Sequence, residues 1–342
     1  MHAFFSYLIK LLFLFCLVFS QRIAAQDKMS VFESIADKQY RKMTITADFD
    51  EFRAHKMKEY RQNAILEFSN ETGKKETWNI EIEARGKYRR RVCTDMPPIR
   101  LIFPKEGLKK GKYKTAHKKY KLVTHCLERK DSEQTVLREY WTYRMYNQLT
   151  DQSFQTVLLE IVYRNTADQS EIQQMGFIIE NEKELARRIG GKKEERWGLT
   201  KDSIQQISYE NLLLFQYMIG NTDWEIKMVR NMIMVLSNGN APLVIPYDFD
   251  AAGLVDASYA VPNPNLKQKS IKQRIAMGTF QDEAVLGAAC ERFIDLYNKT
   301  WCFEDCPYLD EDSKKDMDNY LQDFLKLLEN ERKRNKVFLK KK

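Results

Sequence analysis

The sequence has few histidines, no Cys-x-x-Cys pair and only one long apolar run. It contains four histidines in 342 residues, which disfavours a zinc site built from histidine and paired cysteine. No glycine-rich GxGxxG loop is present to bind nucleotide phosphates. No arginine- or lysine-rich block is interleaved with aromatic residues, so no nucleic-acid partner is expected. No internal repeat or low-complexity segment occurs.

The composition is that of a folded protein with a substantial core. Hydrophobic residues make up 43% and aromatic residues 12% of the chain, which excludes wholesale disorder. The length fits one large domain or two smaller ones. The formal net charge is +8, and the basic residues are dispersed. This charge favours anionic partners such as nucleotides or acidic proteins.

Residues 1–25 have the pattern of a secretory signal peptide. Lys10 precedes an apolar run, Leu11 to Phe19, which is too short to span a membrane comfortably. Ala24 and Ala25 offer a small-residue cleavage site; an uncleaved anchor is the alternative. No later run of about 18 apolar residues exists. We therefore expect an exported protein that is periplasmic, attached to the cell surface or secreted, with no membrane span after cleavage.

Five cysteines follow the predicted signal peptide, so at least one stays unpaired within the chain. They are Cys93, Cys126, Cys290, Cys302 and Cys306. Cys302 and Cys306 could close a local loop, or could be held by a partner such as Cys290. Structural disulfides are the expectation for an exported protein, with buried free thiols and a metal site as the alternatives.

The first part of the mature chain has the pattern of β-strands. Trp78, Ile80, Ile82 and Ala84 alternate with polar residues, which is typical of a half-buried strand. A turn over 70–73 joins this strand to a preceding one in a hairpin. Strands are predicted over 64–68, 99–103, 120–124, 156–163 and 175–179. A helix is predicted over 131–149, and the lysine-rich stretch 105–119 is predicted to be a loop, either solvated or binding phosphate or substrate.

The second part is predicted to be mainly helical. Amphipathic helices are expected over 202–219, 281–301 and 312–338. A β-hairpin with strands at 232–236 and 242–245 interrupts them, followed by an ordered loop over 254–278. The predicted organisation is a signal peptide at 1–25, a strand-rich part at 26–191 and a mainly helical part at 192–342.

Acidic and amide side chains stand at the ends of elements between Gly220 and Gly253. Asp223 follows the long apolar helix, Asn231 precedes the hairpin, and Asp248 and Asp250 follow it. Carboxylate and carboxamide oxygens are ligands that Mg²⁺ prefers, and two acids beside an apolar strand are costly without a cation. Phosphoryl transfer uses such a metal, a carboxylate near the attacking hydroxyl and cations on the phosphates.

The run GNTDW…N…IPYDFDAAG, preceded by RGKYRR and LREYWTYRMYNQL, resembles the spore-coat protein H (CotH) kinase family. The resemblance covers roughly residues 80–265. It implies an α+β, atypical protein-kinase-like fold of two lobes, with a strand-rich N-lobe carrying one main helix and a mainly helical C-lobe. The implied activity is phosphate transfer from ATP, with Mg²⁺ or Mn²⁺, to serine or threonine of a protein substrate that the sequence does not identify.

The resemblance also implies roles for the acidic residues. Asp223 would be the catalytic carboxylate that orients the acceptor hydroxyl. Asn231 and Asp248 would bind the metal, with Asp250 as a second ligand or as the alternative to Asp248. Two departures from kinase motifs stand out, since seven residues rather than four separate Asp223 from Asn231 and an aspartate, Asp250, replaces the glycine of Asp-Phe-Gly.

The nucleotide-binding cation should come from the N-terminal sheet. Arg85, Arg100 and Lys121 are the candidates. Lys121 stands on a strand just before the helix that carries Glu139, and we predict a Lys121–Glu139 pair like that of ordinary kinases. The alternative for each is solvent exposure, and Arg85 in particular lies opposite the apolar face of its strand.

Two other classes of function stay open, because an exported bacterial protein meets little ATP. One is a non-catalytic envelope or scaffold protein that keeps the fold. The other is a metal-dependent hydrolase that uses the same carboxylates to activate water.

Overall fold

The computed structural model describes residues 28–127, 130–237, 241–301, 303 and 306–340. The predicted signal peptide and Cys302 lie outside these residues. In the part of the chain that is described, no helix is both long enough and apolar enough to cross a membrane.

The first part of the chain forms a closed barrel of seven strands. In chain order the strands are β1 (Lys42–Ala47), β2 (Arg61–Ser69), β3 (Lys75–Ala84), β4 (Ile99–Ile102), β5 (Lys119–Val123), β6 (Thr156–Asn165) and β7 (Glu171–Ile179). The order around the barrel is β1-β2-β3-β4-β5-β7-β6. Neighbours are antiparallel, except that β6 runs parallel to β1 and closes the barrel. The predicted 64–68 hairpin is confirmed as β2–β3, with alternating burial on both strands.

The predicted two-lobed, protein-kinase-like fold is wrong. The strands of the first part close on themselves, because β1 pairs with β6 over Lys42↔Glu160 to Ala47↔Asn165. This pairing joins segments more than a hundred residues apart. Periodicity identifies strands from neighbouring residues, but it does not say which distant strand will be the partner. A strand-like pattern is predicted from about residue 43, but no separate strand was delimited at β1.

Six helices belong to this part of the described chain. They are α1 (Val31–Asp37), α2 (Phe49–Ala54), α3 (Arg89–Val92), α4 (Lys105–Lys110), α5 (Lys130–Leu149) and α6 (Glu182–Arg188). Helices α1, α2 and α4 place Val31, Phe49 and Leu108 in the core of the barrel. The prediction that residues 105–119 form only a loop is wrong, since α4 lies there. Helix α5 is the predicted 131–149 helix.

As far as it is described, the second part combines a three-stranded antiparallel sheet with four helices. The strands are β8 (Gly191–Glu194), β9 (Met232–Ser237) and β10 (Leu243–Pro246), in the order β10-β9-β8. The helices are α7 (Gln206–Met218), α8 (Glu283–Lys299), α9 (Glu311–Glu329) and α10 (Glu331–Phe338), with 3₁₀ turns at Lys201–Ser203 and Pro264–Leu266. The predicted 312–338 helix is divided at Asn330, which ends α9 and caps α10.

Helix α5 connects the two parts through its packing. Val136 and Leu137 of α5 and Phe177 of β7 lie in the same apolar core as α7 and the β9–β10 hairpin. The predicted boundary between residues 191 and 192 falls within β8, which pairs with β9. One side of α5 therefore packs where the barrel meets the small sheet.

Cys93 and Cys126 form a disulfide. It joins the residue after α3 to the chain just beyond β5, so the segment that carries α3 is fixed to the barrel. Cys290 is a buried free thiol, and burial raises its pKa to about 11.

Candidate functional site

Asp248 and Asp250 follow β10 at the point where the chain leaves the small sheet. Phe249, between them, is fully buried and packs against the rings of Tyr143 and Phe215, with centroids 4.7 and 5.7 Å away. The N–H of Asp248 donates to the Tyr143 hydroxyl on α5 at 2.8 Å. Asp248 has a left-handed φ of 65°, which aspartate tolerates better than most residues. The apolar anchor thus holds both aspartates against α5.

Glu139 lies on α5 one turn before Tyr143, and therefore on the same face of the helix. It is 1% exposed. Burial raises the pKa of Glu139 well above its ordinary value; the charge of Asp250 adds to the rise, and the nearby Arg89 guanidinium opposes it. Its Oε1 atom has no hydrogen-bond partner among the described residues. A third carboxylate thus joins the two aspartates in a buried cluster.

Asp250 is the carboxylate with the closest cationic neighbour. The Nε atom of Arg89 lies 3.7 Å from its Oδ2, and the hydroxyl of Tyr259 donates to the same oxygen at 3.2 Å. Burial raises the pKa of Asp250 to about 6, and repulsion from Asp248 contributes to the rise. The charge of Arg89 partly offsets this rise.

Arg89, which the sequence analysis did not single out, is the buried cation of the cluster. It is 8% exposed, donates from Nη2 to the backbone oxygen of Thr124 at 3.1 Å and lies 5.3 Å from the ring centroid of Tyr259. Its Nε and Nη1 atoms have no hydrogen-bond partner among the described residues. Arg89 belongs to the RGKYRR run, four residues after Arg85, but nothing in that run indicated that its side chain would be buried.

Arg85 lies just beyond β3, and its side chain turns toward the carboxylates. Its Nε and Nη2 atoms are buried without a hydrogen-bond partner in the described chain. Its positive charge lowers the pKa values of Glu139, Asp250 and Tyr143. The alternative that Arg85 faces solvent is therefore wrong. Buried guanidinium donors without acceptors are costly, and their fork geometry suits phosphate oxygens.

Lys121 has a different partner from the one predicted. Its Nζ atom lies 3.0 Å from Oε1 of Glu182 on α6 and 3.8 Å from the ring centroid of Tyr247. Burial lowers the pKa of Lys121, and Glu182 opposes this shift. The predicted Lys121–Glu139 pair is wrong, because β5 pairs Lys121 with Ile179 at the end of β7. That register places the lysine beside the start of α6 instead.

Arg100 and Lys121 line one pocket of about 460 Å³. Arg100 forms an ion pair with Glu83 on the adjacent strand β3. The other charged residues around the pocket are the cations Lys118, Lys119, Lys183 and Lys193 and the carboxylates Glu180 and Glu182. Cations outnumber carboxylates there, so the pocket suits an anionic ligand.

The structure brings Asp223 and Asn231 into direct contact. The amide nitrogen of Asn231 donates to the backbone oxygen of Asp223 at 2.7 Å and to its Oδ2 at 2.9 Å. Nε of Arg230 lies 3.5 Å from the other carboxylate oxygen, and the Asp223 side chain is 51% exposed. The backbone oxygen of Asn231 accepts from the N–H of Tyr247. Because Tyr247 directly precedes Asp248, this bond places the Asp223–Asn231 pair near Asp248 at the open end of the hairpin.

The predicted catalytic residue and the three predicted metal ligands thus lie in two neighbouring sites. Asp248 and Asp250 lie in the buried cluster with Glu139, while Asn231 is bonded to Asp223 nearer the surface. In the described part of the chain, no group of three His, Cys, Asp or Glu side chains is arranged as a metal site.

Neither family models nor curated proteins match this chain. The resemblance to the CotH kinase family therefore stays a prediction from the motifs.

Removing the hydroxyl of Tyr259 should weaken the cluster in a pH-dependent way. We expect Tyr259→Phe to lower the free energy of unfolding by about 1–2 kcal/mol at pH 8 and by less at pH 5. The hydroxyl donates to Asp250, whose pKa is about 6, so the bond matters most when the carboxylate is ionised. Urea unfolding at both pH values measures the effect.

Tyr297→Phe is the matched control, because Tyr297 donates the same kind of bond to Asp318 outside the cluster. The decrease in the free energy of unfolding caused by Tyr297→Phe should be the same at pH 8 and pH 5. An equal loss for Tyr259→Phe at both pH values would contradict the assigned role.

Proposed function

We propose that the chain transfers a phosphoryl group from ATP, with Mg²⁺ or Mn²⁺, to a serine or threonine hydroxyl of a protein. One observation carries the proposal. The buried carboxylate of Glu139 and the partly buried ones of Asp248 and Asp250 interact with the guanidinium groups of Arg85 and Arg89, whose buried donors lack acceptors among the described residues. Phosphoryl transfer must hold both a cation and a polyanionic phosphate at one place.

The donor atoms of the cluster are of the kind that a hard cation prefers, although the described carboxylates are not arranged as a ready-made metal site. Asp248 and Asp250 provide carboxylate oxygens, and Oε1 of Glu139 has no partner in the described chain. The raised pKa of Asp250 reflects burial and repulsion from Asp248, and a divalent cation would relieve both costs. When bound, it would neutralise charge on the transferred phosphate. Asn231 would contribute its Oδ1 atom, since its amide nitrogen is engaged by Asp223.

In this proposal, different cationic side chains bind different parts of the nucleotide. Arg85 and Arg89 have unpaired buried donors and would bind phosphate oxygens next to the carboxylates. Lys121 and Arg100 line the adjoining pocket of about 460 Å³, which would take the rest of the nucleotide. Lys121 also interacts electrostatically with the cluster. Burial lowers the pKa of Lys121, and the charge of Asp248 is among those that oppose this shift.

Asp223 would orient the acceptor hydroxyl and accept its proton. Its carboxylate is fixed by Asn231 on one oxygen and approached by Arg230 on the other. It is also half exposed. A positioned but accessible carboxylate suits an acceptor carried by another protein chain.

A thermal-shift measurement tests the metal and nucleotide assignments. Mg²⁺ with ATP should raise Tm, and a ligand at a hundred times its Kd stabilises by about 2.7 kcal/mol. Asp248→Ala should abolish the shift. Since Asp250, with a pKa of about 6, must lose its proton to bind a cation, the shift should be larger at pH 7.5 than at pH 5.

Asp323→Ala, which removes an exposed carboxylate of α9, is the control and should keep the full shift. A shift retained in Asp248→Ala would sink the metal assignment. The absence of any shift in the unmodified chain would favour the scaffold alternative. Release of phosphate without labelled protein would favour the hydrolase.

A further inference from the structure

The start of β5 joins the starts of two short helices on the surface of the barrel. Phe103, two residues before α4, donates its N–H to the backbone oxygen of Lys118 at 2.8 Å. Asn181, which caps α6, donates its side-chain amide to the backbone oxygen of Lys119 at 3.0 Å. Side chains of α4, β5 and α6 therefore share one region of the surface.

Cations dominate this region, which we call the basic surface. It comprises the exposed residues Lys105 and Lys109 of α4, Lys118 before β5, and Lys183 and Arg187 of α6. Each helix thus carries two cations four residues apart, a spacing at which side chains are neighbours and like charges destabilise the helix. Lys109 and Arg187 stand in the last turns of their helices, where a cation interacts favourably with the helix dipole, so the arrangement has a local benefit beside this cost.

The chain itself neutralises the basic surface only in part. Glu33, which forms an ion pair with Lys114, is close enough to Arg187 for that charge to help lower its pKa against the opposing effect of burial. In the part of the protein that the structure describes, no carboxylate forms an ion pair with any of these five side chains, whereas the adjacent Lys121 and Lys193 are both paired with Glu182. Burial lowers the pKa of His117, and the charges of Arg187 and Lys183 lower it further. Residues 105–119 contain seven lysines and one glutamate.

The chemistry of the surroundings narrows the class of partner. None of the large exposed apolar side chains of the described chain is on α4, α6 or residues 111–119. Met29, which is 37% exposed, adjoins them through its backbone oxygen, which accepts from the N–H of Lys114. Tyr113 and Tyr120 are buried. The surface therefore lacks aromatic rings on which nucleic-acid bases stack and apolar side chains that insert into a lipid surface. It offers point charges alone.

We propose that the basic surface formed by α4, the start of β5 and α6 binds an acidic segment of a partner protein. Carboxylates of the partner complement the unpaired lysine and arginine side chains and accelerate the encounter. The proposal concerns binding of a partner protein and goes beyond the proposed activity; Lys118 and Lys183 also line the pocket assigned to the nucleotide, whereas Lys105 and Lys109 of α4 do not.

Fluorescence anisotropy of a labelled peptide rich in glutamate and aspartate, titrated with the full chain without nucleotide, tests it. Two charge-reversal variants are compared, Lys105→Glu with Lys109→Glu on α4, and Lys183→Glu with Arg187→Glu on α6. Each should weaken binding by about tenfold or more, and binding to the unmodified chain should fall as salt rises. The control is Arg332→Glu with Lys336→Glu, an exposed pair at the same spacing on α10, which changes the net charge equally and should alter affinity by less than about twofold.

Equal weakening in the α10 control would overturn the proposal, because net charge alone would then explain binding. Tighter binding of single-stranded DNA or of vesicles with anionic lipids, lost in the same two variants, would also overturn it in favour of another class of partner.

Lys105 and Lys109 lie outside the pocket of Arg100 and Lys121, so the Tm shift with Mg²⁺ and ATP should persist in the α4 variant. A chain that binds the peptide but shows no nucleotide shift would leave the basic surface standing and count against the proposed activity alone.

Discussion

Arg89→Met should destabilise the fold by about 3 kcal/mol or more at pH 7.5. Methionine keeps much of the apolar stem but removes the buried guanidinium that lies beside Asp250 and donates to Thr124. Glu139, Asp248 and Asp250 would then share the charge of Arg85 alone. Because breaking a buried pair leaves an uncompensated charge, the cost exceeds that of losing one hydrogen bond. Urea unfolding measures it.

The sign of the pH dependence follows from Asp250. Its folded pKa of about 6 lies above its ordinary value, so its ionised form opposes folding, and this cost grows as pH rises through 6. Without Arg89 the ionised form becomes less favourable still. The difference between Arg89→Met and the unmodified chain should therefore be larger at pH 7.5 than at pH 5.

Arg100→Met is the matched control for this prediction. Arg100 pairs with Glu83 where both side chains are partly exposed, and such pairs contribute about 1 kcal/mol or less. Similar losses in the two variants, or a loss for Arg89→Met that does not change with pH, would contradict the role assigned to Arg89.

Asp223→Ala should reduce phosphate transfer to protein by a factor on the order of 10² to 10⁴, while the Tm shift with Mg²⁺ and ATP remains. The carboxylate is half exposed and is held by Asn231, so its removal leaves the buried cluster of Asp248 and Asp250 in place. Incorporation of labelled phosphate into protein measures the first quantity and thermal unfolding the second.

Glu225→Ala serves as the control, because Glu225 is a similarly exposed carboxylate that also approaches Arg230. It should keep its transfer rate. Unchanged transfer in Asp223→Ala would rule out the catalytic role, and a simultaneous loss of the nucleotide shift would assign Asp223 to ligand binding instead.

The elements around the site could largely be predicted from the sequence. The period-2 pattern gave β2 and β3, and the apolar stripe gave α5. The positions of Asp223, Asn231, Asp248 and Asp250 at element ends followed from the same patterns. The structure brings Asp223 and Asn231 into contact, and the register Met232↔Pro246 aligns the strand after Asn231 with the strand before Asp248; the roles assigned to these residues stay predictions.

The partners of the charged residues could not be predicted in the same way. Lys121 was expected to pair with Glu139 because the two are close in the chain, but the β5–β7 register turns it to Glu182. Arg89 lies in a four-residue helix with no apolar pattern of its own, so nothing in its immediate neighbourhood indicated burial. The Cys93–Cys126 disulfide and the bond to Thr124 hold it there.

The sequence by itself determined many of the strands and helices, although not β1 or α4, and where the acidic residues stand at their ends, because these depend on side-chain periodicity and on neighbours within a few residues. Only the tertiary structure decided that β1 and β6 close a barrel, that Arg85 and Arg89 face the buried carboxylates, and that the cations of α4 and α6 share one surface. Each of these depends on pairing and packing between segments distant in the chain, whose free energies are set by burial and charge in the assembled fold.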